Sequence, residues 1–188
     1  MKNKRILIIG GTGALGKTLT KRYSQDNDII IFSRDEHKQV SMKRDYPSIS
    51  YQLGDVKDKD TIRHTINEYK PQVIINTAAL KHVPVCEENP YESVKTNIIG
   101  HKNLIDCVQS SKHQIDTLMF ISTDKACSPM NVYGMCKAIS EKLYVDYANK
   151  QKDIKIVLCR YGNVLESTGS VIPFFKNILE HKVSNPIP

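Results

Sequence analysis

Tyr133-Gly-Met-Cys-Lys137 sets a phenol four residues ahead of an amine, so a helix over this segment would carry both on one face. A phenol with an ordinary pKa near 10 is a poor base at neutral pH. An ammonium within roughly 4–6 Å favours the phenolate by about one to three units. Tyr133 and Lys137 are therefore candidates for proton transfer at a substrate hydroxyl. About ten residues upstream stands Ser122-Thr-Asp-Lys125, where a hydroxyl, a carboxylate and an amine follow one another. Thr123, Asp124 and Lys125 could serve chemistry at two neighbouring carbons, which needs an acid and a base of separated proton affinity. The residues alone leave open which of Asp124 and Lys125 is the acid.

Such groups need a frame, and the rest of the sequence supplies one. Short β-branched runs at 5–9, 28–32, 49–53, 73–76, 117–122 and 154–160 alternate with helical patterns at 15–24, 36–45, 58–69, 90–111 and 132–150. Continuous apolar strands separated by helices predict an α/β fold: a doubly wound parallel sheet covered on both faces, with its ligand crevice at the carboxyl ends of the strands. Ser122 to Lys125 falls at such an end. A helical stretch at 171–180 and a closing Asn185-Pro-Ile-Pro188 follow the last strand. They predict a nucleotide-binding domain over 1–165 and, over 166–188, the beginning of a substrate-binding lobe that is cut short.

Gly10-Gly-Thr-Gly-Ala-Leu-Gly16 follows the first strand and opens the first helix. Glycines there allow a tight turn, close approach of a pyrophosphate to the backbone, and close packing of helix on strand. Gly10, Thr12, Gly13, Ala14, Leu15 and Gly16 are thus expected at a dinucleotide. After the second strand comes Ser33-Arg-Asp-Glu-His-Lys38. Ser33, Arg34 and Lys38 suit the 2′-phosphate of NADP, a guanidinium gripping it bidentately. Asp35 is the competing signal for NAD, or a helix cap. Asp55 and Val56, after the third strand, are expected near the adenine, with a helix cap as the other use of Asp55.

The segments GGTGALG, FSRDEHKQ, GDV, NTAALKHVPVCEENPYESVKTNIIG, ISTDKACSPMNVYGMCKAISEKL and RYGNVLESTGSVIPFF resemble the extended short-chain dehydrogenase/reductase superfamily. More narrowly, the chain resembles the UDP-N-acetylglucosamine 4,6-dehydratase family of polysaccharide biosynthesis, including its C5-inverting members. AALKHVP and STDKAxxP carry that narrower likeness. The resemblance implies a Rossmann fold of extended type and NADP as cofactor. It implies that Tyr133 acts on the C4 hydroxyl of a UDP-sugar while C4 gives hydride to the cofactor, and that Thr123 bonds the C4 oxygen. Asp124 and Lys125 then remove the C5 proton and protonate the departing C6 hydroxyl. Lys137 would also hold the nicotinamide ribose. Ala78 and Ala79 would line the cofactor, Lys81 would reach cofactor or substrate, and Asn163 and Val171 would touch the UDP-sugar. A homo-oligomer pairing through 90–111 and 132–150 is implied as well. A UDP-sugar 4-epimerase or another extended reductase such as a retaining UDP-sugar dehydratase, and a non-catalytic NADP-binding fragment, are the competing functions. STDK favours elimination, since a simple epimerase has no use for an acid–amine pair at C6.

Composition narrows the field less. The formal net charge is +7, but Lys and Arg are spread along the chain rather than clustered; anionic small ligands or a solvated surface explain it at least as well as nucleic acid, and no nucleic-acid partner is expected. The five cysteines form no CxxC pair, so neither a metal site nor a disulfide framework is expected. No apolar run approaches the roughly 20 residues of a membrane span, and Ile6 to Ile9 is too short for a signal-peptide core. A cytoplasmic protein without membrane contact is the expectation.

Overall fold

The computed structural model describes residues 1–164 together with 175, 176, 178 and 179. Six parallel strands, β1 (Arg5–Ile9), β2 (Asp28–Ser33), β3 (Ser50–Leu53), β4 (Val73–Asn76), β5 (Thr117–Ile121) and β6 (Lys155–Cys159), form one sheet in the order β3-β2-β1-β4-β5-β6. The strands run as continuous apolar segments because both faces are covered. Alternate residues of β1 divide between two cores. Leu7 and Ile9 pack with Phe32, Ile62, Leu104 and Tyr144 on one side, and Ile6 and Ile8 pack with Ile31, Met42 and Ile75 on the other. Each of these side chains is removed almost wholly from water, so the cores supply most of the driving force for folding. This is the doubly wound Rossmann architecture read from the sequence. The strand order reverses between β1 and its neighbours β2 and β4, which opens a crevice at their carboxyl ends.

Three of the described α-helices begin where a side chain closes the first turn. Asp35 accepts from the Lys38 amide ahead of α2 (Glu36–Asp45), and Asp58 from the amides of Asp60 and Thr61 ahead of α3 (Lys59–Tyr69). α1 (Ala14–Tyr23) starts on Gly13 with no such cap. Two elements depart from the sequence pattern. A short α4 (Val83–Glu88) begins with Pro84 in its first turn, where a missing N–H costs nothing. The single helix expected over 90–111 is α5 (Pro90–Val94), a π-helical turn (Lys95–Ile99) and α6 (Gly100–Gln109). α7 (Val132–Lys150) is capped by Asn131 on the Gly134 amide. A 3₁₀ turn (Asp124–Ala126) stands between β5 and α7. Of the stretch expected helical at 171–180, the four described residues are helical, and the rest lies outside the described residues.

Candidate active site

The strand ends open into one cleft of about 600 Å³. Its lining runs from Gly10, Thr12, Gly13, Ala14 and Leu15, past Ser33, Arg34, Asp35 and Lys38, to Asp55 and Val56. It continues along residues 77–82 to Thr96, Thr123, Lys125, Tyr133 and residues 161–164. Of the expected site residues, Gly16, Asp124 and Lys137 are not among those lining it, and Val171 lies outside the described residues.

Three glycines of the first turn answer to different demands. Gly10 turns the chain at φ +78°, and a Cβ there would stand 2.7 Å from the Ala78 nitrogen. A Cβ on Gly16 would strike the Gly11 main chain, so this glycine lets α1 close against the turn before it and is buried behind that turn. Gly13 is asked for by neither: a Cβ would find only the Gly10 oxygen, at 3.3 Å, while the residue faces the cleft. α1 opens there without a capping side chain or an acid in its first turn. Its first N–H groups and the positive end of its dipole are left for an anion. The turn therefore fits a pyrophosphate.

At the end of β2, Ser33 is buried and its Oγ accepts from Gln39 Nε2 at 3.0 Å, which leaves its O–H free to donate. The Arg34 guanidinium is largely exposed and stands 3.8 Å from Asp55 Oδ2. Lys38 Nζ lies 2.7 Å from Asp35 Oδ2, while Asp35 Oδ1 accepts from the Lys38 amide. Those two hydrogen bonds from Lys38 hold the Asp35 carboxyl below its usual range. Asp35 is thus the cap of α2. Asp55 caps no helix; that place belongs to Asp58, and Asp55 instead pairs with Arg34 and Lys57.

The far end of the cleft is built from β5, α7 and the segment after β6. Thr123 is buried; its Oγ1 donates to Asp124 Oδ1 at 2.9 Å. Lys125 Nζ bridges Asp124 Oδ1 at 3.2 Å and Asn163 Oδ1 at 3.3 Å. Lys125 faces the cleft and Asp124 meets it through Lys125. The hydrogen bond from Thr123, and then that from Lys125, lower the Asp124 pKa, so its carboxylate is ionised at neutral pH. Asn163, expected on the sugar, lines the cleft with its amide oxygen on Lys125.

Tyr133 and Lys137 occupy one face of α7, as their spacing predicts, but the expected electrostatics do not follow. Burial pushes the Tyr133 phenol up to about 12, Tyr161 adds to the effect, and a hydrogen bond with Thr123 opposes it. Lys137 is buried beneath, donating from Nζ to the Ile121 oxygen at 2.7 Å and lying 4.5 Å from the Phe120 ring centroid. Burial lowers it to about 7, with Glu141 opposing. An amine turned to a carbonyl and pushed by burial toward its neutral form does not hold the phenol down. The phenolate needs a cation from elsewhere in the cleft.

Several lining residues were missed, Tyr161, Thr77 and Thr96 among them. Tyr161 directly precedes the Gly-Asn pair after β6 and could have been found from the rule that strand ends carry sites. Thr96 sits in a π turn that no local pattern announces. Also missed was Asn97, whose side chain takes both the N–H and the C=O of Leu80, at 2.9 and 2.8 Å, and so holds the cleft wall. Among the described residues no cluster of metal ligands occurs, and no helix is long and apolar enough to cross a membrane.

A family model described as polysaccharide biosynthesis protein matches residues 6–188. The inverting UDP-N-acetylglucosamine 4,6-dehydratase of Campylobacter jejuni serotype O:2 is 44% identical over 184 residues, 94% of this chain and 54% of that protein. A UDP-glucose 4-epimerase of Rickettsia bellii is 40% identical over 186 residues, covering 93% and 53% respectively. The X-ray structure of Pen from Bacillus thuringiensis superposes with a TM-score of 0.89 at 34% identity, over 95% of this chain and 56% of that one. The chain thus spans about half the length of the curated relatives it matches. With the glycine turn, Tyr133 and the Thr123–Lys125 strand end brought to one cleft, and the family model matched from the first strand onward, the chain belongs to the polysaccharide biosynthesis protein family.

Proposed function

We propose that this protein serves the NADP-dependent 4,6-dehydration of UDP-N-acetylglucosamine to a UDP-4-keto-6-deoxy sugar, with inversion at C5. The observation that carries this reading is the cluster Thr123, Asp124, Lys125 and Tyr133, with Lys125 and Tyr133 lining the same cleft as the uncapped start of α1. The 44% identity to an inverting dehydratase supports the same choice. A bound oxidised nicotinamide would supply reversible hydride acceptance and a positive charge that favours the phenolate of Tyr133. Gly10, Thr12, Gly13, Ala14 and Leu15 would hold the pyrophosphate, and Ser33 and Arg34, with Lys38, the 2′-phosphate. Asp55 and Val56 would border the adenine, and Ala78, Ala79 and Lys81 the nicotinamide end.

Tyr133 would take the C4 hydroxyl proton, with Thr123 turning its hydroxyl from Asp124 to hydrogen-bond the same oxygen. Lys137 would act from below, on the nicotinamide ribose. Once C4 is a ketone, the C5 proton is acidic, and Lys125 and Asp124 stand together to move it and to release the C6 hydroxyl as water. Their shared hydrogen bond allows a proton to pass between them. Lys81, Asn163 and Val171 are the proposed sugar contacts. Residues 1–165 would be the nucleotide-binding domain and 166–188 the beginning of the sugar lobe. Action in the cytoplasm, as a homo-oligomer paired through α5–α6 and α7, completes the proposal; exposed Ile99, Met135 and Ile139 on those helices support the pairing.

Incubation with NADP+ and UDP-N-acetylglucosamine in deuterated water tests it by NMR. A 4-keto-6-deoxy product carrying deuterium at inverted C5 is expected. A C4 epimer alone would overturn the reading in favour of the epimerase activity that the Rickettsia relative's name describes.

A further inference from the structure

We propose that the Glu141–Arg160 ion pair is a positioning device: it fixes the Thr123–Lys125 turn against the helix that carries Tyr133. The inference rests on the dehydratase reading. Glu141 lies four residues after Lys137 and eight after Tyr133, on the same face of α7. Its side chain is only 12% exposed. One carboxylate receives three donors from two strand ends. Arg160 Nε reaches Oε1 at 2.8 Å, Arg160 Nη2 reaches Oε2 at 2.5 Å, and Ser122 Oγ donates to Oε1 at 2.5 Å. The remaining guanidinium nitrogen, Nη1, lies 2.9 Å from Cys127 Sγ, just past the 3₁₀ turn. The main chain repeats the join: Ser122 donates to the Cys159 oxygen and Asp124 to the Tyr161 oxygen.

A two-pronged guanidinium–carboxylate contact fixes angle as well as distance, which a lysine cannot do. Replacing such a pair by apolar side chains often leaves stability unharmed, so stability alone is a poor reason for it here. What the pair does fix is the relative placement of α7, the β5 end and the β6 end. Those are the three pieces that bring Tyr133, Thr123–Lys125 and Asn163 to one cleft. A misplacement of about 1 Å at reacting groups can cost about a hundredfold in rate.

The test compares wild type with Arg160→Met, Arg160→Lys and Glu141→Gln. For Arg160→Met and Glu141→Gln, kcat for elimination should fall about 10–100-fold, while KM for the UDP-sugar and the Kd for NADP+ stay within about twofold. Arg160→Lys should recover only a small part. Arg160→Gly should be partly rescued by added methylguanidinium. A second readout needs no activity: hydrogen exchange of the amides of Asp124, Ala126 and Cys127 should quicken about tenfold in Arg160→Met, with β1 and α1 unchanged. Unaltered kcat in Arg160→Met, or unaltered exchange in the turn, would overturn the proposal. Should wild type eliminate nothing, the functional reading falls, and the exchange experiment still judges the clasp. If Arg160→Met does not fold, Ser122→Ala removes one donor and leaves the ion pair; a kcat loss of about threefold is then expected, and no loss overturns.

Discussion

At the β1–α1 end of the cleft the wall is backbone, shaped by what a Cβ would strike; at the β5–β6 end it is a set of side chains that hold one another. Gly10 and Gly16 are required by contacts under 3 Å, and α1 begins with nothing but its own amides. Thr123, Asp124, Lys125 and Asn163 instead form a chain of hydrogen bonds between 2.9 and 3.3 Å. The first construction tolerates little change in residue type but depends on no partner. The second accepts substitutions sterically and loses its geometry when any link goes. A backbone site suits a cofactor that must only be held, and a side-chain site suits protons that must move.

Substitutions can break or sharpen that contrast. Tyr133→Phe should lower kcat by roughly 10²–10⁴ while leaving the Kd for NADP+ within about twofold, measured by steady-state turnover and fluorescence titration. Gly16→Ala should destabilise the fold by about 3 kcal/mol in urea melts, since its Cβ meets main chain, whereas Gly13→Ala should keep the fold and weaken cofactor binding. Equal stability of the two variants would erase the distinction drawn for the turn. Arg34→Ala should cost roughly 10–100-fold in NADP+ affinity and leave NAD+ binding unchanged, on the strength of one or two charge-assisted bonds; equal affinities for the two cofactors before and after would refute the 2′-phosphate assignment.

Lys137 predicts a pH dependence whose sign can be worked out. Its folded pKa of about 7 lies below the free value, so the unfolded chain binds more protons between about pH 7 and 10. Its contribution is present above the free lysine value and is lost as pH falls toward 7. Stability without added nucleotide should therefore rise with pH through that window, by at most about 1.4 kcal/mol per unit from this group, and Lys137→Met should flatten the slope. Smallest is Asn131→Ala, which removes the cap of α7 and should cost about 1 kcal/mol.

The same contrast explains what could be read from the residues. The six strands and the helices at α1, α2, α3 and α7 follow from apolar runs and from caps such as Asp35, whose effects are local. The glycine turn was legible because its sterics involve neighbours in sequence or the next strand. The direction of Lys137 was not, because the Ile121 carbonyl that holds it comes from another strand. Nor was the Asn97–Leu80 contact, made across 17 residues. α4 is not announced by its residues because it is only six residues long and carries Pro84 in its first turn.

The wide turn at Lys95–Ile99 separates two rotational phases along a single helical run. Within it, Thr96 and Asn97 point by the demands of the cleft wall; after it, Leu104, Ile105 and Val108 point by the demands of the core. An α-helix advances about 100° per residue, so excising one residue there would satisfy ordinary winding and swing one of those faces off its target. The extra residue acts as a phase adjuster, letting ligand contacts and hydrophobic packing each keep their own orientation on one rod.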